Sequence, residues 1–264
     1  MTLQITILGC GSSGGVPRVG GDWGACDPNN PKNRRRRCSI LVERIDADQR
    51  TVVLVDTSPD LREQLLSAGT TRLDGILLTH AHADHVHGID DVRPLVIRMK
   101  RRIPAFMDAP TADWVQSRFD YIFVTPPGSQ YPPLLDPNPL VPGRVCSITG
   151  PGGAVDALPF RLEHGEIDAL GFRFGDVAYT PDLNAIPEES LDALRGLDIW
   201  IIDALRYTAH PSHLTVAEAL GLIRELKPKR AILTNMHTDL DYERLKGEVP
   251  PGVELAYDGM KISF

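Results

Sequence analysis

Residues 79–88 read THAHADHVHG. Within eight positions stand His80, His82, Asp84, His85 and His87, directly after the apolar run 76–78. Imidazoles and a carboxylate at this density are costly to bury unless something binds them. Neutral imidazole with a carboxylate is a donor set for zinc, manganese or iron. In extended chain His80 and His82 point the same way, so both face one ion. Asp84 and His85 are adjacent and suit a second ion as the chain turns into a helix. Two ligand sets in one loop imply two divalent ions close together, an arrangement suited to hydrolysis.

Outward from this cluster, short apolar and β-branched runs recur at 3–8, 40–45, 52–55, 199–202 and 231–233. With 76–78 they predict buried strands. Helical spacing appears at 59–68, 112–119, 187–194 and 216–226, the last opened by Thr215 as N-cap and followed by Pro228. The region 144–180 reads as consecutive strands. Strands and helices alternate, but not strictly, which favours a layered α/β fold with mixed sheets. Further candidate ligands stand at strand ends, where such scaffolds present side chains to a common cleft: Asp56, His164, Asp182 and His237. Residues 125–142 hold seven prolines and predict a long irregular loop. The glycine-rich stretch 9–21 lacks the third glycine of a dinucleotide-binding turn and has Pro17 and Arg18 where a helix would begin.

Composition narrows the classes. The chain has 264 residues, 42% hydrophobic and 24% charged, as expected for one globular domain spanning residues 1–264. No apolar run reaches the roughly 18 residues a membrane span needs, and the N-terminus carries no secretory pattern. Four scattered cysteines without a CxxC suit a reducing cytoplasm. A net charge of −7 argues against tracking an extended nucleic acid and leaves room for a small anionic substrate beside metal ions.

Asp56, the HxHxDH of residues 80–85, His164, Asp182 and His237, taken in order, resemble the five motifs of the metallo-β-lactamase superfamily. That resemblance implies a four-layer αβ/βα sandwich of two mixed sheets with two metals at one edge. It implies that His80, His82 and His164 bind the first ion, that Asp84, His85 and His237 bind the second, and that Asp182 bridges them. Asp56 would hold the metal loop by hydrogen bonds. An aspartate bridge, where true lactamases have cysteine, suits phosphodiesterases and thioesterases.

The stretches LGCGSSGGVPRVG, RRRRCSILV and DALRYTAHPSHLTVAEAL are similar to one branch, the phosphoribosyl cyclic phosphodiesterases, close to tRNA 3′-processing ribonucleases. This similarity implies hydrolysis of a small cyclic ribose phosphate or nucleotide by water activated between two divalent ions, zinc or alternatively manganese. His213 would protonate the leaving oxygen, with His210 as its alternate or a substrate contact. Asp84 and Asp56 complete the expected catalytic set. Arg35 and Arg37, from the run Arg34–Arg37, are the expected phosphate contacts, while His87 reads as structural. A zinc-binding cysteine cluster of that branch is represented only by Cys26 and, twelve residues on, Cys38. The alternatives are a thioesterase or lactonase, a tRNA 3′-processing nuclease, or an accessory protein without catalysis. A homodimer is left open.

Overall fold

A computed structural model describes residues 2–264. Its strands are β1 (Thr2–Gly9), β2 (Ser39–Asp46), β3 (Gln49–Val55), β4 (Gly75–Leu77), β5 (Ile103–Met107), β6 (Leu135–Pro139), β7 (Cys146–Gly150), β8 (Gly153–His164), β9 (Ile167–Phe174), β10 (Val177–Thr180), β11 (Ile199–Asp203), β12 (Arg230–Thr234), β13 (Val253–Leu255) and β14 (Lys261–Ser263). The helices are α1 (Leu61–Ala68), α2 (Ala83–Val86), α3 (Arg93–Met99), α4 (Ala109–Arg118), α5 (Asp120–Phe123), α6 (Val216–Leu226) and α7 (Tyr242–Glu248).

Two seven-stranded sheets result, in the orders β14-β1-β2-β3-β4-β5-β6 and β13-β12-β11-β10-β9-β8-β7. Each is half antiparallel meander and half parallel. In the first sheet β3, β4, β5 and β6 run parallel. In the second, β10, β11, β12 and β13 do. The mixed-sheet sandwich expected from the sequence is what forms.

Period-two patterning explains the layers. On β2, Ile40 and Val42 pack into the larger core, which also holds Phe172, Trp200 and Ile201 of the second sheet. Leu41 between them joins a second core with Leu61 of α1, Val96 of α3 and Val115 of α4. On β3, Val53 and Val55 face the first core while Val52 and Leu54 face the second. A strand buried on both faces reads as an unbroken apolar run, which is how these strands were legible. At the other outer face, α6 is closed by a capping box in which Thr215 and Glu218 satisfy each other's backbone amides.

Two expectations change. The proline-rich loop contains β6, whose LDPNP sequence pairs along β5. Proline lacks a ladder donor, so such a strand is tolerated at the end of a sheet, where β6 lies. Residues 188–194 form a 3-10 helix rather than an α-helix. No helix among the described residues is long and apolar enough to cross a membrane.

Candidate metal centre

The centre lies where the parallel strands end. Asp56 follows β3, and the 79–88 loop follows β4. Asp182 follows β10, Asp203 closes β11 and Asn235 follows β12. His164 ends β8 at the β8–β9 hairpin.

On the first sheet, Asp56 is fully buried and has φ +65°. This left-handed conformation turns its carboxylate back onto the metal loop. Oδ1 accepts from the Thr79 amide at 2.8 Å, Oδ2 accepts from Thr79 Oγ1 at 2.9 Å, and Oδ2 lies 2.7 Å from His85 Nδ1. Thr79 Oγ1 is also 2.9 Å from His80 Nδ1. The backbone closes the same unit: the Thr57 amide donates to His85 O at 2.7 Å and the Gly88 amide to Thr57 O at 2.8 Å. A Cβ on Gly88 would lie 2.0 Å from Ser58 O, so only glycine permits this approach. Protein hydrogen bonds thus hold the loop, and the Nδ1 partners of His80 and His85 leave Nε2 of each for the cleft.

Three imidazoles converge from the two sheets. His82 Nδ1 is 3.0 Å from His80 Nε2 and 3.1 Å from His164 Nε2. His164 donates through Nδ1 to Ser212 O at 2.7 Å, which directs its Nε2 inward. Burial pushes His80 well below the ordinary imidazole range and also lowers His82 and His164. Three such rings with facing nitrogens form a candidate site that a cation would complete.

A second group forms around Asp182. Its Oδ2 lies 2.5 Å from His85 Nε2 and 3.7 Å from His80 Nε2. Asp84 Oδ2 is 3.5 Å from the same His85 nitrogen. That nitrogen is buried and makes no well-aligned hydrogen bond. Burial opposes its protonation, but Asp182, Asp56 and Asp84 outweigh this and hold the imidazole well above its usual range. For Asp182 burial acts upward, and His85 overcomes it, keeping the carboxyl well below the usual range. A buried imidazole nitrogen between two carboxylates offers the donor chemistry of a second divalent site.

His213 occupies the next place. Its Nδ1 is 3.0 Å from Asp203 Oδ2 and 3.4 Å from Asp182 Oδ1. Burial disfavours its charged form, but Asp203 and Asp182 raise it overall. Burial pushes Asp203 up to about 7 despite its bond to His213. The His213 ring stands 4.7 Å from His164 and 5.0 Å from His210. His210 itself faces Ser212, which donates to its Nδ1 at 3.3 Å.

Not every expected residue joins. His237 lies outside the cluster. Its Nδ1 is 2.6 Å from Asp239 Oδ1 and its Nε2 faces the guanidinium of Arg18. Asn235 takes the place beside Asp182 instead. Its Nδ2 donates to Asp182 Oδ1 at 2.5 Å and to Asp203 Oδ1 at 3.1 Å. Strand register is the cause: Asp203 pairs with Thr234, so Asn235 is the first residue past the strand ends. Asn235 then adopts φ +60°, which asparagine tolerates, and the chain turns away before residue 237.

Arg35 is 1% exposed and does not reach the cleft. It donates to His237 O at 3.2 Å, Leu240 O at 2.6 Å and Asn33 Oδ1 at 3.2 Å, and so pins the loop after β12. Arg37 pairs with Asp60 at 3.0 Å. It lines a separate cavity of about 540 Å³ with Arg34 and Arg36 that contains none of the clustered ligands. His87 is exposed and stacks near Trp114, at 6.2 Å between centroids. Cys26 bonds the backbone of Thr238 and Leu240, while Cys38 faces Gly11 O. Asp203 and Asn235 were missed by the sequence reading. The signal for Asp203 was present, since IWIID repeats the apolar-run-then-Asp pattern of VVLVD at Asp56.

The profile of β-lactamase superfamily domains matches residues 51–236, and the chain belongs to that superfamily. Its described residues bring together three groups of convergent candidate ligands: His80, His82 and His164; His80, His85 and Asp182; and Asp182, Asp203 and His213. Among solved structures it is similar to a diphosphatase from the PhnP family, at 36% identity and a TM-score of 0.89, covering 100% of this chain and 98% of that one. Among curated proteins it is 33% identical to an octanoyltransferase of Porphyromonas gingivalis, over 98% of this chain and 51% of that protein. It is 34% identical to a ribonuclease Z of Bradyrhizobium, over 54% of this chain and 46% of that protein. The chain spans about half the length of these curated relatives.

Proposed function

We propose that the protein hydrolyses a small phosphate ester or anhydride, a cyclic ribose phosphate or a nucleotide, with two divalent ions. The observation that carries this is the 36% identity over the whole chain to a PhnP-family diphosphatase. His80, His82 and His164 would hold one ion; His85, Asp84 and Asp182 would hold the other. Bound there, divalent zinc or manganese supplies Lewis acidity toward a phosphoryl oxygen and a lowered pKa for water. The chain's own residues do the rest. Asp56 and Thr79 orient the loop imidazoles. Asn235 fixes Asp182 through one oxygen and leaves the other toward His80 and His85. Asp203 holds His213 by Nδ1, and no intramolecular hydrogen bond engages His213 Nε2 among the described residues. A protonated Nε2 so oriented donates to the departing oxygen, a general-acid step.

A second reading is acyl hydrolysis, favoured by the similarity to the P. gingivalis octanoyltransferase. One assay separates the two. Metal-loaded protein is offered bis-(p-nitrophenyl) phosphate, an acyl thioester and a lactone. Preferential phosphodiester turnover is expected; faster turnover of the thioester or lactone overturns the phosphoester reading.

A further inference from the structure

A cavity of about 430 Å³ opens directly onto His80 and His82. Its walls are apolar: Ala81, Pro110, the half-buried indole of Trp114 and Ile167, which is 40% exposed. Its remaining lining carries carboxylates, Asp108 and Asp168. Asp108 accepts from the Thr111 amide at 3.0 Å as the cap of α4, and Asp168 pairs with Arg161 at 2.7 Å. Arg161 does not line the cavity, and neither does Arg118, which lies over the indole of Trp114 at 4.1 Å. Apart from the two metal-facing imidazoles and Thr111, the lining is apolar or acidic, and it holds no lysine or arginine.

Such a wall offers a phosphate no cationic side chain of its own and suits an uncharged flat ring carrying N–H donors. The groups that suit a phosphate lie elsewhere. His213 and His210 stand beyond His164, whose ring contacts His82 on one side and His213 on the other. Resting on the phosphoester reading of the centre, we propose that this cavity is the substrate's base subsite. It holds the nucleobase of a nucleotide against Trp114 and Ile167, while Asp108 and Asp168 accept from its amino or ring N–H groups. A substrate then lies across the centre with its ring at the His82 end and its phosphate toward His213.

Calorimetric titration of the metal-loaded protein tests this, with adenosine 5′-monophosphate and ribose 5-phosphate as probes. The two share a phosphate and a sugar and differ by the base. Adenosine monophosphate is expected to bind at least about tenfold more tightly, as base–aromatic contacts of this kind give. Trp114→Ala should bring the two affinities together while ribose 5-phosphate binding is retained, which also reports an intact fold. Ile167→Ser, at an exposed position, should narrow the gap by a smaller factor. Equal wild-type affinities, including no binding of either, overturn the subsite, as does a preference that survives both substitutions. Absence of phosphodiester turnover would instead overturn the phosphoester reading, and the base preference is measured independently of it.

Discussion

The two sheets contribute to the centre in different ways. The first sheet supplies one continuous loop, 79–88, and a single strand end, Asp56, that grips it through Thr79 and His85. The second supplies His164, Asp182, Asp203, His213 and Asn235 from separate stretches. These meet only because β10, β11 and β12 pair in parallel register and because Ser212 accepts from His164. One side is a preassembled unit; the other is a convergence. A preassembled unit is robust to small shifts of the sheets. A convergence depends on register, which here puts Asn235 rather than His237 beside Asp182.

Substitutions probe that difference. Asp182 joins the two sides, so Asp182→Ala should lower phosphodiester turnover to background and reduce the bound metal, read by kinetics and metal analysis of the same sample. An unaltered metal content with normal turnover would detach it from the centre. His213→Ala should retain metal and lower turnover of substrates with poor leaving groups by roughly 10²–10⁴, the range of a general acid. A leaving group that needs no proton, such as p-nitrophenolate, should be far less affected. Loss of one ion in this variant would make His213 a ligand instead.

Asp56→Asn acts on the preassembled side. It keeps an acceptor for Thr79 but removes the charge behind His85, and metal affinity should fall about 10- to 100-fold, as for other residues that orient ligands. Competition with a chelator measures this. The smallest effect is expected from His237→Ala. Both of its ring nitrogens already have partners, Asp239 and Arg18, so metal content should stay at the wild-type value. Loss of an ion would restore His237 to the second site and show that the convergent side rearranges when metal binds.

The strands and most of their neighbours were legible in the sequence because β2 and β3 carry unbroken buried apolar runs, ILV and VVLV, that face both cores. Helix α6 was legible to the residue, since Thr215 and Glu218 form a local cap. β6 was not, because its prolines signal a loop and only its place beside β5 makes it a strand. Arg35 looked like a phosphate contact in a run of arginines, yet its side chain is spent on carbonyls of the loop after β12, more than 200 residues away.

By itself the sequence determined the superfamily and the dense donor loop 79–88, because those rest on donor atoms a few residues apart whose directions follow from local backbone geometry. Tertiary structure alone decided which residue stands next to Asp182, which arginines are buried and where the apolar cavity opens. Each depends on strand register and packing between distant segments, where a shift of one or two residues replaces one side chain by another.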